Sequence, residues 1–133
     1  MIPKFRAWDK VEKSMCRVVA IDFRTAGMVT LYNEGAGDKS KVGRFSYSQR
    51  WENIDILQVT GLLDREGKEI WEGDILMTQL NVGSIARPRA VVVFTDDGFY
   101  AEHPAWRLRL KLLTSITVIG NKWQNPELME VGK

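Results

Sequence analysis

Short apolar runs separated by turn residues dominate the chain and predict a mainly β protein. The runs Cys16–Phe23, Met28–Tyr32 and Ala90–Phe94 are rich in residues that favour strands. Two stretches with glycine, asparagine or proline and few large apolar residues, Asn33–Lys41 and Asn81–Pro88, predict loops. We therefore expect antiparallel strands joined by hairpins and loops.

Two turn signals lie close together in the middle of the chain. Asp64-Arg65-Glu66-Gly67 stands between apolar residues and predicts a hairpin turn, because Asp closes turns through its side chain and Gly adopts positive φ. Gly73 then interrupts the returning strand, which predicts a bulge or a close approach of another segment. A hairpin with a sharply bent second arm is common in small β-barrels. We expect bent antiparallel strands in one or two small barrel-like, SH3-like lobes.

The C-terminal part predicts one more strand and a helix. The strand covers Thr114–Ile119, and Asn125-Pro126-Glu127 has the order of capping Asn, first-position Pro and early acid that begins a helix. We predict a short C-terminal helix of one or two turns. Ser46–Glu52 is ambiguous and fits a short helical turn. Residues 1–133 are interpreted as a single domain, and lobes at 1–52 and 53–133 are the alternative division.

Length and charge narrow the class of protein. A chain of 133 residues can bury a core without a disulfide or a metal. The formal net charge of +2 is too small by itself to indicate nucleic-acid binding. Cys16 is the only cysteine, and no apolar segment is long enough for a signal peptide or a membrane span. These features predict a cytoplasmic protein without membrane contact.

Catalytic chemistry finds little support in the sequence. His103 is the only histidine and Cys16 the only thiol, whereas a zinc site needs three or four such ligands. His103 precedes a proline, which favours an exposed loop, and no Gly-x-Ser-x-Gly element is present. The spacing between Gly61 and Gly67 departs from that of a phosphate-binding loop, and Glu69 stands where Ser or Thr would bind magnesium. We expect no catalytic residue, no metal and no small-molecule cofactor.

Two groups of carboxylates leave alternatives open. Asp96, Asp97 and Glu102 have the chemistry of a magnesium site, but a solvated hairpin tip is the favoured interpretation because turns select Asp for local reasons. Glu72 and Asp74 would share one face of an extended strand, as an acid–base pair requires. A role in a turn and in a soluble strand edge is favoured for this second pair.

The alternation in Trp106–Leu112 is the strongest local signal of binding. Its leucines would share one strand face and its cations the other. With two arginines flanking Pro88, five cations form the candidate patch for nucleic acid or an acidic partner: Arg87, Arg89, Arg107, Arg109 and Lys111. Such a row can follow a phosphate backbone. The favoured alternative is an edge strand protected by charge, with acidic groups of a neighbouring strand or subunit neutralising the row.

Three blocks in this order resemble the YopX family: Lys4–Asp9, Gln58–Leu76 and Val118–Leu128. The resemblance implies a small protein of phages or prophages, in a family without an assigned biochemical role. It also implies a structural role for the shared residues Gly61, Asp64, Gly67, Trp71, Gly73, Asp74, Gly120, Asn121, Asn125 and Pro126. Trp51 and Trp106 lie outside these blocks and are candidates for an interface, although burial in the core is favoured for each.

The sequence therefore predicts a non-catalytic phage or prophage accessory protein in the cytoplasm of a bacterial host cell. Protein–protein contact or self-association is the favoured mode of action, so a homo-oligomer or a protein partner is expected. A nucleic-acid-binding module that uses the basic strand is the alternative, and an enzyme is the least favoured class.

Overall fold

The computed structural model describes residues 4–24, 27–33, 45–78 and 88–129. Most of the two predicted loops, Asn33–Lys41 and Asn81–Pro88, falls outside these residues. The described part of the chain holds eleven strands and three 3-10 turns. Within it, no helix has the length and apolar character needed to cross a membrane.

All strand pairs are antiparallel. The strands are β1 (Phe5–Asp9), β2 (Ser14–Asp22), β3 (Met28–Asn33), β4 (Phe45–Arg50), β5 (Ile54–Leu63), β6 (Glu69–Trp71), β7 (Asp74–Thr78), β8 (Arg89–Thr95), β9 (Gly98–His103), β10 (Trp106–Arg109) and β11 (Ile116–Asn121). The 3-10 turns cover Trp51–Asn53, Leu110–Leu112 and Pro126–Met129. The prediction of a mainly β protein is confirmed.

The strands form two sheets. One has the order β4-β3-β2-β1-β5-β6 and the other β10-β9-β8-β7-β11. The chain divides into two compact units, residues 2–58 and 59–133, which we call the N-terminal and C-terminal units. The division falls inside β5, later along the chain than the alternative boundary between residues 52 and 53.

The N-terminal unit is a strongly curled sheet. The Tyr47 hydroxyl on β4 donates to Asp9 Oδ2 on β1 at 2.6 Å, although two strands lie between them. Neighbouring strands are about 4.8 Å apart, so a flat sheet would keep these strands roughly 14 Å apart. The inner face of the curl encloses Ala7, Cys16, Val29, Leu31, Ile54. Among the described strands β4 pairs with β3 alone, so the sheet is open and the expected barrel-like, SH3-like lobe is not confirmed.

The C-terminal unit contains the five-stranded sheet and the hairpin of late β5 and β6. Its core consists of Ile70, Leu76, Ala90, Val92, Ala101, Leu110 and Ile116. The sheet ends in two separate edge strands, β10 and β11, so this unit is not a closed barrel either in the described residues. Strand β5 bulges around Gly61, whose φ is +83°. Val59 pairs with Trp71 and Leu63 pairs with Glu69, so a step of four residues in β5 faces a step of two in β6. The predicted interruption of the second arm is also present, because the turn at residues 72–73 separates β6 from β7.

Two predicted elements differ in the structure. The predicted C-terminal helix is a 3-10 turn at Pro126–Met129, since the Leu128 N–H donates to the Asn125 carbonyl three residues earlier. The predicted strand Trp106–Leu112 ends at Arg109 and continues as a 3-10 turn in which Leu110 enters the core. Ser46–Glu52, the ambiguous segment, is mainly strand β4, followed by the first 3-10 turn.

Candidate functional site

The hairpin of late β5 and β6 lies in the block Gln58–Leu76, and we call it the signature hairpin. The carboxylate of Asp64 closes its turn by accepting hydrogen bonds. Its Oδ1 accepts the backbone N–H groups of Glu66 and Lys68, each at 2.9 Å, and its Oδ2 accepts that of Val118 at 3.0 Å. Burial by itself raises the pKa of a carboxyl group, but these three donors hold the pKa of Asp64 below its ordinary range. Gly67 has a φ of +82°, as expected for the hairpin turn. Asp64 therefore has a structural role.

The turn between β6 and β7 brings the chain against Trp123. Gly73 has a φ of +84°, and a Cβ added there would overlap the Trp123 ring. Asp74 is buried, and its Oδ2 accepts the Trp71 N–H at 2.8 Å. The predicted close approach at Gly73 is confirmed. Asp74 holds this turn, which supports the favoured structural role for this residue.

The closing block fixes the position of Trp123. Asn121 Oδ1 accepts the N–H groups of Trp123 and Gln124 at 3.1 and 2.9 Å. Asn125 Oδ1 in turn accepts the Asn121 N–H at 3.2 Å. A Cβ at Gly120 would lie 2.5 Å from Asn125 Oδ1, so a larger residue would push this amide out of place. Pro126, which begins the last 3-10 turn, follows directly.

Arg107 and Arg109 project from β10 on the same side, as predicted, and both are neutralised. Arg107 Nη2 lies 2.7 Å from Glu102 Oε2, and Arg109 Nη2 lies 3.1 Å from Asp97 Oδ2. Both guanidinium groups also lie over the Tyr100 ring, at 5.5 and 5.4 Å from its centroid. Hydrogen bonds from Thr95 and Tyr100, together with the charge of Arg109, lower the pKa of Asp97. The acidic groups belong to the neighbouring hairpin β8–β9.

Of the other three predicted cations, the two that the structure describes do not extend this row. Arg89 donates from Nη1 to the Leu128 carbonyl at 3.1 Å and so packs on the last 3-10 turn. Lys111 lies in the 3-10 turn after β10 and not on the strand. Arg87 is outside the described residues. The structure thus groups two of the five cations and separates two others.

The two candidate interface tryptophans differ in exposure. Trp106 is half-buried, packs against the C-terminal core and stacks on His103 with ring centroids 5.3 Å apart. His103 is also half-buried at the end of β9, and its Nδ1 accepts the Ala105 N–H at 3.0 Å. The prediction of an exposed loop histidine is therefore wrong. Trp51, in contrast, is 47% exposed.

Trp51 belongs to an exposed aromatic pair on the N-terminal unit. Phe23 is 82% exposed, and the two ring centroids lie 6.5 Å apart. The register aligns Asp22, Met28 and Arg50, so the residues after β2 and β4 meet at one end of the sheet. The Trp51 N–H donates to the Gly27 carbonyl at 2.7 Å, which fixes its backbone. We call Phe23 and Trp51 the aromatic patch.

A groove of about 210 Å³ runs along the signature hairpin of the C-terminal unit. One wall is the end of β5 and the hairpin turn, and the other is the 3-10 turn after β10 with the connector to β11. The groove is lined by Leu62, Leu63, Asp64, Arg65, Leu110, Lys111, Leu113, Thr114, Ser115 and Ile116. Five of these side chains are aliphatic, and two are cations. Leu63 is 60% exposed, which makes the groove an accessible apolar surface.

The groups considered for catalysis do not assemble into a reactive site. Cys16 is buried in β2 and contacts the Tyr47 hydroxyl at 3.4 Å. Asp97 and Glu102 are each paired with an arginine, as described above, and Asp96 is exposed beside them. In the part of the chain that the structure describes, no three His, Cys, Asp or Glu side chains converge as metal ligands do.

The groove and Phe23 were not predicted as functional features from the sequence. Leu62 and Leu63 are adjacent in a strand, where successive side chains point to opposite faces, so one of the two had to face away from the core. The sequence alone therefore indicates an exposed leucine at this position. The role of Phe23 depends on the pairing of β2, β3 and β4, which places its ring near Trp51 and which no local pattern encodes.

The fold and the blocks agree with comparisons to known proteins. Protein EF1440 from Enterococcus faecalis has a similar structure, with a TM-score of 0.65, 29% identity, and coverage of 97% of this chain and 99% of that one. Protein yopX from Bacillus subtilis has the same fold, with a TM-score of 0.59, 19% identity, and coverage of 94% and 96%. No curated protein matches the chain. A family model for the YopX protein matches residues 4–130, and the chain therefore belongs to the YopX family.

Proposed function

We propose that this protein is a non-catalytic phage or prophage accessory protein of the bacterial cytoplasm that acts by protein–protein association, in the first place with a second copy of itself. The observation that carries the proposal is the exposure of Phe23 and Trp51 side by side on the N-terminal unit. The burial of a large aromatic side chain is strongly favourable in free energy, and aromatic residues are enriched at protein–protein interfaces.

The charges beside the aromatic patch favour a second copy as the partner. Arg24 Nε lies 3.6 Å from Asp22 Oδ1, and Arg50 Nη1 lies 3.7 Å from Glu52 Oε1. Among the described residues beside the patch, these two ion pairs contribute two cations and two anions. In a two-fold contact the same surface meets itself, so cations of one copy can face anions of the other. A polyanion would meet repulsion from half of these charges.

The oligomeric state tests this proposal directly. Analytical ultracentrifugation of the wild type is expected to show a concentration-dependent monomer–dimer equilibrium. Phe23→Ser and Trp51→Ser should each shift the equilibrium to monomer. Phe94→Ser is the matched control, because Phe94 is also exposed, at 52%, but lies in the C-terminal unit. A wild type that stays monomeric, or a control that dissociates the dimer equally, would count against the proposal.

A nucleic-acid-binding module remains the alternative, but the geometry of β10 gives it less support. Arg107 and Arg109 would have to leave Glu102 and Asp97 before they could neutralise phosphates. Each rearrangement reduces the net gain from a phosphate contact. An enzymatic function has weaker support still, since neither Cys16 nor His103, the only thiol and the only imidazole of the chain, lines the groove.

A further inference from the structure

We propose that the groove along the signature hairpin binds an extended segment of a partner protein in which apolar and acidic side chains alternate. This site lies on the C-terminal unit and does not depend on self-association through the aromatic patch. The argument rests on the shape of the groove, its preorganised walls and the sign of its charges.

The walls of the groove are fixed before any partner binds. The Arg65 N–H donates to the Ile116 carbonyl at 3.0 Å, and Asp64 Oδ2 accepts the Val118 N–H, so the hairpin turn is clipped to β11 at two points. The opposite wall is closed by the bond from the Leu113 N–H to the Leu110 carbonyl at 3.1 Å. A rigid site loses little conformational entropy on binding, which favours affinity for a short segment.

The backbone at Ser115 shapes the same wall in an unusual way. Ser115 has a φ of +54°, a left-handed conformation that side chains other than glycine and asparagine seldom adopt. Such strained conformations cluster at functional sites. Ser115 lies in the connector between the 3-10 turn at Leu110–Leu112 and β11, where this conformation turns the chain. Ser115 is one of the residues that line the groove.

The cations in the groove lining outnumber its single carboxylate. Arg65 and Lys111 line it, and neither forms an ion pair with another described residue. The single acidic group in the lining, Asp64, already accepts three backbone N–H groups. The aliphatic lining is thus accompanied by two cations that form no ion pair among the described residues. A ligand that fills the groove with an apolar side chain and brings carboxylates to the two cations satisfies this arrangement.

The size of the groove favours a peptide over a small molecule. Its 210 Å³ is less than the roughly 300–1,000 Å³ of sites that enclose a drug-sized ligand. An extended peptide sends alternate side chains to opposite faces, so its apolar side chains can reach Leu62 and Leu63 while the acids between them lie near the rim. The partner segment is therefore expected to read as Glu-Leu-Glu-Leu rather than as a helical pattern.

Binding of defined peptides to the purified full-length protein tests the proposal. The probe is the acetylated, amidated pentapeptide Glu-Leu-Glu-Leu-Glu, compared with versions in which Gln or Lys replaces every Glu. We expect the ¹H–¹⁵N spectrum to shift at Leu63, Lys111 and Ser115 with a dissociation constant below about 1 mM. The Gln peptide should bind at least about fivefold more weakly, and the Lys peptide should not bind.

Matched substitutions locate the site. Leu63→Ser and Lys111→Glu should each weaken the acidic peptide by about fivefold or more, because one removes the apolar contact and the other reverses a charge. Leu112→Ser is the control for Leu63→Ser. Leu112 is also exposed, at 64%, and it follows Lys111 in the 3-10 turn, but it does not line the groove. Lys13→Glu is the control for Lys111→Glu, since it changes the net charge equally on the other unit. Both controls should bind as the wild type does.

Several results would overturn the proposal. These are the absence of any shift at about 1 mM acidic peptide, equal affinity for the Gln or Lys peptide, or shifts centred away from the groove. Groove shifts that appear on concentrating the protein without peptide would identify a second copy as the occupant. Equal shifts with oligothymidylate would indicate a general polyanion site. Because the aromatic patch is tested by dimerisation alone, either proposal can fail while the other stands.

Discussion

Replacing Gly73 by alanine should destabilise the protein by substantially more than the same change at Gly67. Both glycines have nearly the same positive φ, +84° and +82°. An added Cβ at Gly67 meets nothing within 4 Å, whereas at Gly73 it overlaps the ring of Trp123. The pair therefore separates the cost of the backbone conformation from the cost of displacing Trp123.

The expected magnitudes follow from these two contributions. A left-handed conformation costs a non-glycine residue about 1–2 kcal/mol, and the lower entropy of the unfolded alanine chain offsets about 0.4–1 kcal/mol of that. Gly67→Ala should thus lower the free energy of unfolding by about 1 kcal/mol. Gly73→Ala adds the cost of overpacking, about 1–3 kcal/mol, so its total should be about 2–4 kcal/mol.

Guanidinium chloride unfolding followed by far-ultraviolet circular dichroism provides the measurement. The double-mutant cycle with Trp123→Ala is the decisive step, because removing the ring removes the overlap. In that background Gly73→Ala should cost no more than Gly67→Ala does in the wild type. Equal costs for the two glycine substitutions in the wild type, or an undiminished cost after Trp123→Ala, would refute the close-approach explanation.

Three further predictions concern other parts of the chain. Tyr47→Phe should cost about 1–3 kcal/mol of unfolding free energy because it leaves the buried Asp9 without its hydroxyl donor, and calorimetry that finds no change would contradict this. Burial and this hydrogen bond raise the pKa of Tyr47. The stability that Tyr47 contributes is therefore complete below its ordinary pKa of about 10 and is lost as the pH rises further. Tyr47→Phe should abolish this loss at high pH. The pKa of Asp64 is lowered in the folded protein. The stability that Asp64 contributes is therefore present above the ordinary pKa of Asp and is lost as the pH falls through the folded pKa. Asp64→Asn should remove this loss from a curve of unfolding free energy against pH. Charge reversal at Arg107 and Arg109 should leave retention on a nucleic-acid column unchanged, and a marked loss of retention would revive the nucleic-acid alternative.

Local turn chemistry was the part of the structure that the sequence could predict. Asp64 and Gly67 define a hairpin turn through contacts made within five residues, and the structure has that turn. Gly73 could be identified as a bulge or a close approach, because glycine inside a strand has few other uses. That Trp123 is the approaching group could not be predicted, since it comes from a segment fifty residues later and depends on the pairing of β7 with β11.

The basic strand shows where alternation misleads. Leucines and cations alternate through Lys111, but the strand ends at Arg109 because Leu110 turns into the core through a 3-10 bond. Period-two alternation describes a strand only while the backbone stays extended. The neutralisation of Arg107 by Glu102 could be stated only as an alternative, because it requires the register in which these two residues face each other.

The same distinction separates two kinds of residue within the block Gln58–Leu76: some hold its turns, whereas Leu62, Leu63 and Arg65 line the groove. Two carboxylates of this block are engaged internally: Asp64 holds its own turn and β11, and Asp74 holds the turn that receives Trp123. A group that is fully occupied in fixing the backbone has little capacity left for a ligand. The exposed Leu63 and the unpaired Lys111 have no such duty, so substitutions there can change the ligand without changing the fold. The proposed peptide site should therefore tolerate substitution at Leu63 and Lys111 without loss of the fold.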